Sequence, residues 1–223
     1  MNPSDISVVI PTLNEAATIE NAIRSATRAG ATEVIVCDGG SQDETLSIAS
    51  DTGATKIVRS IPGRGIQLNA GAVFASREVV LFLHADNLLG ESCLQQICDV
   101  PDVVWGAFEQ HIDHPRFAYR LIEKGNAARV RFRGMAFGDQ AIFVRRQIYK
   151  EVGGFEEIEL MEDVAFSRIM RKIAKPVLLT GPVTISPRRW EQRGIVGQTL
   201  QNWNLRCRYH LGASPRRLAK QYR

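Results

Sequence analysis

Four polar clusters in this chain have the residue types and settings for chemistry. Asp38 follows the β-branched run 34–37 and precedes Gly39, Gly40 and Ser41. A carboxylate there can accept a hydrogen bond from an NH-bearing base while the glycines let backbone approach a ligand. The same carboxylate can equally cap its own turn. Asp86 ends the apolar run 79–83 in the sequence His84-Ala85-Asp86. A hard oxygen ligand facing a cleft suits Mg²⁺ or Mn²⁺ held mainly by substrate phosphates. His84 is either a second ligand or a hydrogen-bonded structural histidine. Glu162-Asp163 follows Gly153-Gly154-Phe155 and opens a helical pattern over 162–172; helix-dipole stabilisation alone would also place carboxylates there. Arg188-Arg189-Trp190 can clamp a phosphate or stack on a sugar, and surface arginines beside a packed indole are equally ordinary.

The elements that must position these groups read as α/β. Residues 6–10, 34–37, 56–59 and 79–83 are short apolar or β-branched runs separated by helical patterns, the sign of βαβ units and a mainly parallel sheet. Ile19, Ala22, Ile23 and Ala26 describe one helix face that ends at Gly30. Ser41 and Glu44 fit a capping box, so a helix is expected to start there and stop near Gly53. Gly63-Arg64-Gly65 reads as a loop into a helix carrying Ile66, Asn69, Ala70 and Val73. Ligands of open α/β sheets bind beyond the C-terminal ends of the strands, so residues 12–15, 38–41 and 84–86 are expected to converge. The second half is less regular, with strands over 103–108 and 141–144 and helices over 116–132 and 162–172. A short basic helix from Ser214-Pro215 is either packed or membrane-facing.

With 223 residues, 44% apolar and 23% charged, the chain suits one domain over 1–223 that buries a core without disulfides. Cys37, Cys93, Cys98 and Cys207 form no CxxC pair and have no histidines at zinc spacing, so reduced thiols are expected. Met1 to Asp5 carries no signal-type stretch and no apolar run approaches the ~20 residues of a spanning helix, which predicts a cytoplasmic protein with at most peripheral membrane contact. Charge divides the chain. Residues 1–99 hold 6 Lys/Arg against 12 Asp/Glu, and residues 100–223 hold 22 against 12. The basic half points to phosphate-bearing or otherwise anionic partners; nucleic acid is disfavoured because no recognition motif surrounds the basic residues.

Taken in order, residues 6–15, 33–45, 65–71 with Asn69, 81–86, and Gly153-Gly154-Phe155 with Glu162-Asp163 resemble the family 2 glycosyltransferases. The resemblance implies a GT-A fold, a nucleotide-sugar donor under residues 1–99, an acceptor side over 100–223 and inversion at the anomeric carbon. It implies that Pro11, Thr12 and Glu15 line the nucleoside pocket and that Asp38 binds the base. Asn69 and Arg64 would lie beside the diphosphate or ribose, and Asp86 would fill the last position of the family's DxD metal motif for Mn²⁺ or Mg²⁺. Asp163 would be the catalytic base, with Glu162, Arg189 and Trp190 on the acceptor or phosphate side. Two departures stand out. His84 replaces the first metal-motif Asp, and Ser186 stands where family members carry Gln before Arg189-Trp190, which favours one transfer per acceptor over polymer synthesis. The pieces 63–65, 83–86, 138–140, 160–163 and 188–191 also resemble a small bacterial subgroup described as arsenosugar-biosynthesis glycosyltransferases.

Asp163 is then expected to take the proton of an acceptor hydroxyl; Arg129, Arg131, Arg133 and Arg145 either attract an anionic acceptor or form an ordinary solvated helix face. Two other readings compete. A sugar-phosphate nucleotidyltransferase would carry a glycine-rich, Arg- and Lys-bearing signature after the first strand, where this chain has residues 11–15. A silent nucleotide-sugar-binding scaffold would have no need of Asp38, Asp86 and Asp163 together. A dinucleotide dehydrogenase would need G-x-G-x-x-G there.

Overall fold

The computed structural model describes residues 1–222. The first half alternates strand and helix: Ile6–Thr12 (β1), Ile19–Arg28 (α1), Glu33–Asp38 (β2), Thr45–Asp51 (α2), Lys56–Arg59 (β3), Arg64–Phe74 (α3), Val79–Phe82 (β4), Asn87–Leu89 (β5) and Cys93–Cys98 (α4). Trp105–Ile112 (β6), Phe117–Arg133 (α5), Phe143–Arg145 (β7), Arg146–Glu151 (α6), Glu162–Ile173 (α7) and Val177–Ile185 (β8) follow. The chain ends in Arg188–Arg193 (α8), Ile195–His210 (α9) and Pro215–Tyr222 (α10).

All eight strands join one sheet in the order β3-β2-β1-β4-β7-β6-β8-β5. The first four are parallel; β7 then runs antiparallel to both β4 and β6. β8 is parallel to β6, and β5 closes the far edge antiparallel to β8. The apolar strands have no polar face because both faces are covered. Val8 and Ile10 pack with Ile19, Ala22 and Ile23 of α1 on one side, while Val9, Ile35 and Phe82 pack with Leu68 and Ala72 of α3 on the other. β5 comes from the first half of the chain yet lies beyond the strands of the second, so the sheet interleaves the two halves.

The expected capping box does not form. The Ser41 hydroxyl donates to the Asp38 carboxylate and accepts the Asn14 N–H instead. The helix begins at Thr45, whose N–H goes to the Asp43 carboxylate. Arg64 and Gly65 belong to α3 and not to the loop before it. Gly65 is required by close approach, since a Cβ would lie 2.4 Å from the Glu156 carbonyl oxygen. The C-terminal segment is packed: Leu218 is fully buried with Leu205, Met135, Leu160, Met161 and Val164. Cys37 and Cys93 are buried, Cys98 partly so and Cys207 exposed, all free thiols. Among the described residues no helix is long and apolar enough to cross a membrane.

Candidate active site

Parallel β1, β2 and β4 present their C-terminal ends on one side of the sheet, and there the chain forms a cavity of about 1240 Å³. Pro11, Thr12, Glu15, Arg64, His84, Asp86, Asp163, Arg189 and Trp190 all line it. The sequence missed the residue that ties this edge together. Gln67 of α3 donates from its amide to the carbonyl of Thr12 (2.7 Å) and that of Cys37 (3.0 Å), fixing the ends of β1 and β2 relative to each other.

Three expected site residues turn elsewhere. Asp38 is 1% exposed and outside the cavity lining; its carboxylate accepts the N–H groups of Gly40 (2.9 Å) and Ser41 (3.0 Å) as well as the Ser41 hydroxyl. It therefore caps its own turn here. Asn69 turns its amide toward α6 and the Gly153-Gly154-Phe155 turn, accepting from Tyr149 Oη and the Phe155 N–H and donating to the Phe155 carbonyl. In this structure Asn69 anchors that loop and does not line the cavity. Glu162 and Asp163 are consecutive on α7, and consecutive helical side chains point about 100° apart. Glu162 faces inward, 1% exposed, and holds Arg64 at 3.0 Å. Only Asp163 reaches the cavity.

Asp163 is held by two backbone donors, the Gly138 N–H to Oδ2 (2.8 Å) and the Val164 N–H to Oδ1 (2.7 Å). Gly138 also lets His84 approach, because a Cβ there would sit 2.7 Å from His84 Nε2 and 3.7 Å from Asp163 Oδ2. Burial, reinforced by Arg64 and Arg189, holds His84 well below the ordinary histidine pKa, so the ring is neutral. Burial pushes Glu162 upward against the pull of Arg64. Burial also raises Glu15, with Asp86 adding to the rise and Arg188 and Arg189 opposing it. These mutual effects place Glu15, Asp86 and the α8 arginines in one electrostatic neighbourhood. Asp139, in the Gly138-Asp139-Gln140 stretch, lines the cavity with one carboxylate oxygen unpartnered, and burial raises its pKa. Trp190 meets Tyr119 edge-on with an unpartnered indole N–H, while Arg189 lies against the ring and hydroxyl of Tyr222.

For a divalent cation the chain offers Asp86, exposed on the cavity, and no group of three His, Cys, Asp or Glu side chains among the described residues. That donor set fits a hard ion held chiefly by substrate phosphate oxygens and fits no protein-built cage. The four arginines expected at the acceptor side separate. Arg129 and Arg133 line the cavity; Arg131 is paired with Glu109 and Arg145 with Glu78, outside its lining.

The chain thus presents a polar cleft at the C-terminal ends of parallel strands, with the Asp86 carboxylate on it and the Asp163 carboxylate at a helix start. The family model for glycosyl transferase family 2 matches residues 7–153, and the chain belongs to that family. It is 27% identical over 215 residues to a PGL/p-HBAD biosynthesis glycosyltransferase of Mycobacterium bovis (strain BCG / Pasteur 1173P2), covering 87% of this chain and 79% of the relative. A 63-residue stretch, 28% of this chain and 21% of the relative, is 41% identical to the glycosyltransferase AglJ of Haloferax volcanii. Among solved structures, S. aureus TarS 1–349 in complex with UDP superposes with TM-score 0.64 at 19% identity, covering 84% of this chain and 61% of that one. The chain thus spans about three fifths of the TarS fragment. Glucosyl-3-phosphoglycerate synthase of Mycobacterium tuberculosis, in complex with Mn²⁺, UDP and glucosyl-3-phosphoglycerate, superposes with TM-score 0.59 at 19% identity, covering 81% and 70%. The fold is GT-A, and the protein is an enzyme of the glycosyltransferase class.

Proposed function

We propose that the enzyme transfers one sugar from a nucleoside-diphosphate sugar, UDP-linked in the first instance, to a hydroxyl of an anionic acceptor with inversion at the anomeric carbon. The observation that carries this reading is the convergence of Arg64, Asp86 and Asp163 on one cavity large enough for two ligands: about 1240 Å³ against the ~300–1,000 Å³ of usual single-ligand pockets. Pro11, Thr12 and Glu15 line the nucleoside end, and Arg64 and Arg189 face the diphosphate. Asp38 serves the base only if its turn opens, since its carboxylate is already engaged.

Asp163 accepts the proton of the acceptor hydroxyl as that oxygen bonds to the anomeric carbon; the bond to the diphosphate breaks and its electron pair leaves with the phosphate oxygen. Held by two backbone N–H groups, the carboxylate is oriented before substrate arrives. Neutral His84 adds no positive charge beside Asp163. Asp86 would hold Mn²⁺ or Mg²⁺ together with the donor phosphates, and when bound that ion would neutralise charge on the leaving diphosphate. The TarS and synthase structures contain UDP, and the synthase structure also Mn²⁺, which supports the donor and metal readings.

The test is thermal denaturation with UDP, GDP, CDP, ADP and TDP, each with and without Mn²⁺. A ligand at 100 times its dissociation constant stabilises by about 2.7 kcal/mol. The expected result is a Mn²⁺-dependent rise with one nucleotide that disappears in Asp86→Ala; no rise with any nucleotide refutes the proposal.

A further inference from the structure

The cavity continues past Asp163 between two helices that stand side by side. Near their N-terminal ends, Ile122 of α5 and Ile195 of α9 join one apolar cluster with Tyr119 and Trp190. Toward their C-terminal ends, Arg129 of α5 and Arg206 of α9 share the ring of Phe137, at 3.5 and 5.2 Å. Between these ties the helices leave a slot, roughly 16 Å long for the eleven steps from Ile195 to Arg206 at 1.5 Å each. Along its length α9 buries only Gln198 and Leu205. The slot is walled by Leu121, Gly125, Ala128 and Phe132 of α5 and by Thr199 and Trp203 of α9. Leu121, Phe132 and Trp203 are 56%, 85% and 64% exposed. Water-facing apolar residues concentrated on both walls of a cavity mark a binding surface.

One end of the slot is cationic. Arg133 of α5, Arg171 of α7 and Arg206 and His210 of α9 line it, and Arg168 hydrogen-bonds the His210 ring. Burial, and then Arg168, Arg171, Arg206 and Arg133, depress the basicity of His210, as expected where these guanidinium groups crowd one spot. Among the described residues none of the four arginines has a carboxylate within ion-pair distance. Such unbalanced charge is relieved by an anion. The fields of Asp139 and Asp163 reach Arg206, so this cationic end adjoins the proposed base.

We propose that the acceptor is an anionic amphiphile: a phosphate-bearing head on Arg133, Arg171 and Arg206, with a long hydrocarbon chain lying in the slot between α5 and α9. This rests on the donor reading above and adds the class of acceptor. A short phosphorylated acceptor would use the arginines and leave the apolar walls without a role.

Calorimetric titration of the full chain, with UDP and Mn²⁺ present and ligands below micelle-forming concentrations, tests it with dodecyl phosphate, ethyl phosphate and dodecanol. Dodecyl phosphate is expected to bind at least about tenfold more tightly than either of the others, since each buried methylene adds affinity. Leu121→Gln with Phe132→Ser, both at exposed positions, should erase the advantage over ethyl phosphate, and Arg171→Gln the advantage over dodecanol. Equal affinity for the two phosphates, equal affinity for dodecanol, or a chain-length preference untouched by the double variant would each overturn the proposal. A UDP-dependent thermal shift on the same samples separates the two readings: its loss sinks the donor assignment, and its presence with any of those three results sinks only this one.

Discussion

Replacing Asp163 by Asn lowers sugar transfer by about 10²–10⁴-fold, the usual worth of a positioned general base, and leaves nucleotide binding unchanged. The amide keeps the shape of the carboxylate and cannot take up the acceptor proton at neutral pH. It also meets two backbone donors, the N–H groups of Gly138 and Val164, with only one acceptor oxygen, so one of those bonds is lost at a cost of about 1 kcal/mol. UDP release under saturating donor, with a UDP thermal shift on the same preparation, separates the two effects. Full turnover in the variant would remove Asp163 from the mechanism.

Removing Arg64 has the largest expected effect on stability. Glu162 has 2% of its side chain exposed and Arg64 is its ion-pair partner, so Arg64→Ala leaves a buried carboxylate without its cation. Breaking a fully buried pair costs about 3–5 kcal/mol; Arg64 is 35% exposed, and solvent screening brings the expected loss to about 2–3 kcal/mol near pH 8. The pH dependence follows from the direction of the Glu162 shift. Burial raises Glu162 in the folded protein and Arg64 opposes that rise, so the variant's Glu162 titrates at higher pH still. The folded variant then takes up a proton before the unfolded chain does. Its deficit shrinks as pH falls through the raised value and is smallest below the unfolded carboxylate's ~4.3. Urea midpoints from pH 8 to pH 5 measure this, and adding Glu162→Gln to the variant should flatten the dependence. A deficit constant with pH would show that Glu162 is not the group responsible.

These two residues show how far the sequence could be read. Glu162 and Asp163 were visible as a pair at a helix start, but their division of labour depends on which face of α7 meets Arg64, and helical periodicity cannot supply a partner 98 positions away in the chain. The parallel strands were legible because each is a short apolar run between helical patterns. β8 was not, since Gly181-Pro182 lies inside it and that pair reads as a turn. β5 has three residues, too few for a period. α9 escaped notice because Val196, Leu200 and Trp203 remain exposed while Gln198 is buried, so no apolar stripe faces a core. The polar clusters at the strand ends were found from position alone, yet Asp38 and Asn69 illustrate the limit of that signal. A carboxylate or amide at a strand end satisfies local N–H groups as readily as a ligand. Gln67 carried no sequence signal, because a glutamine on a helix face reads as solvent-exposed until the helix is docked.

The central claim is that this cavity breaks the bond between a sugar and a nucleoside diphosphate. Incubating the enzyme with Mn²⁺ and a panel of UDP- and GDP-sugars, and following nucleoside diphosphate and released or transferred sugar by NMR, tests it most directly. The expected result is diphosphate release from one donor, a product of inverted anomeric configuration, and neither in Asp163→Asn. A donor that binds with a clear Mn²⁺-dependent thermal shift, yet stays intact with water and with the anionic amphiphile alike, would contradict it.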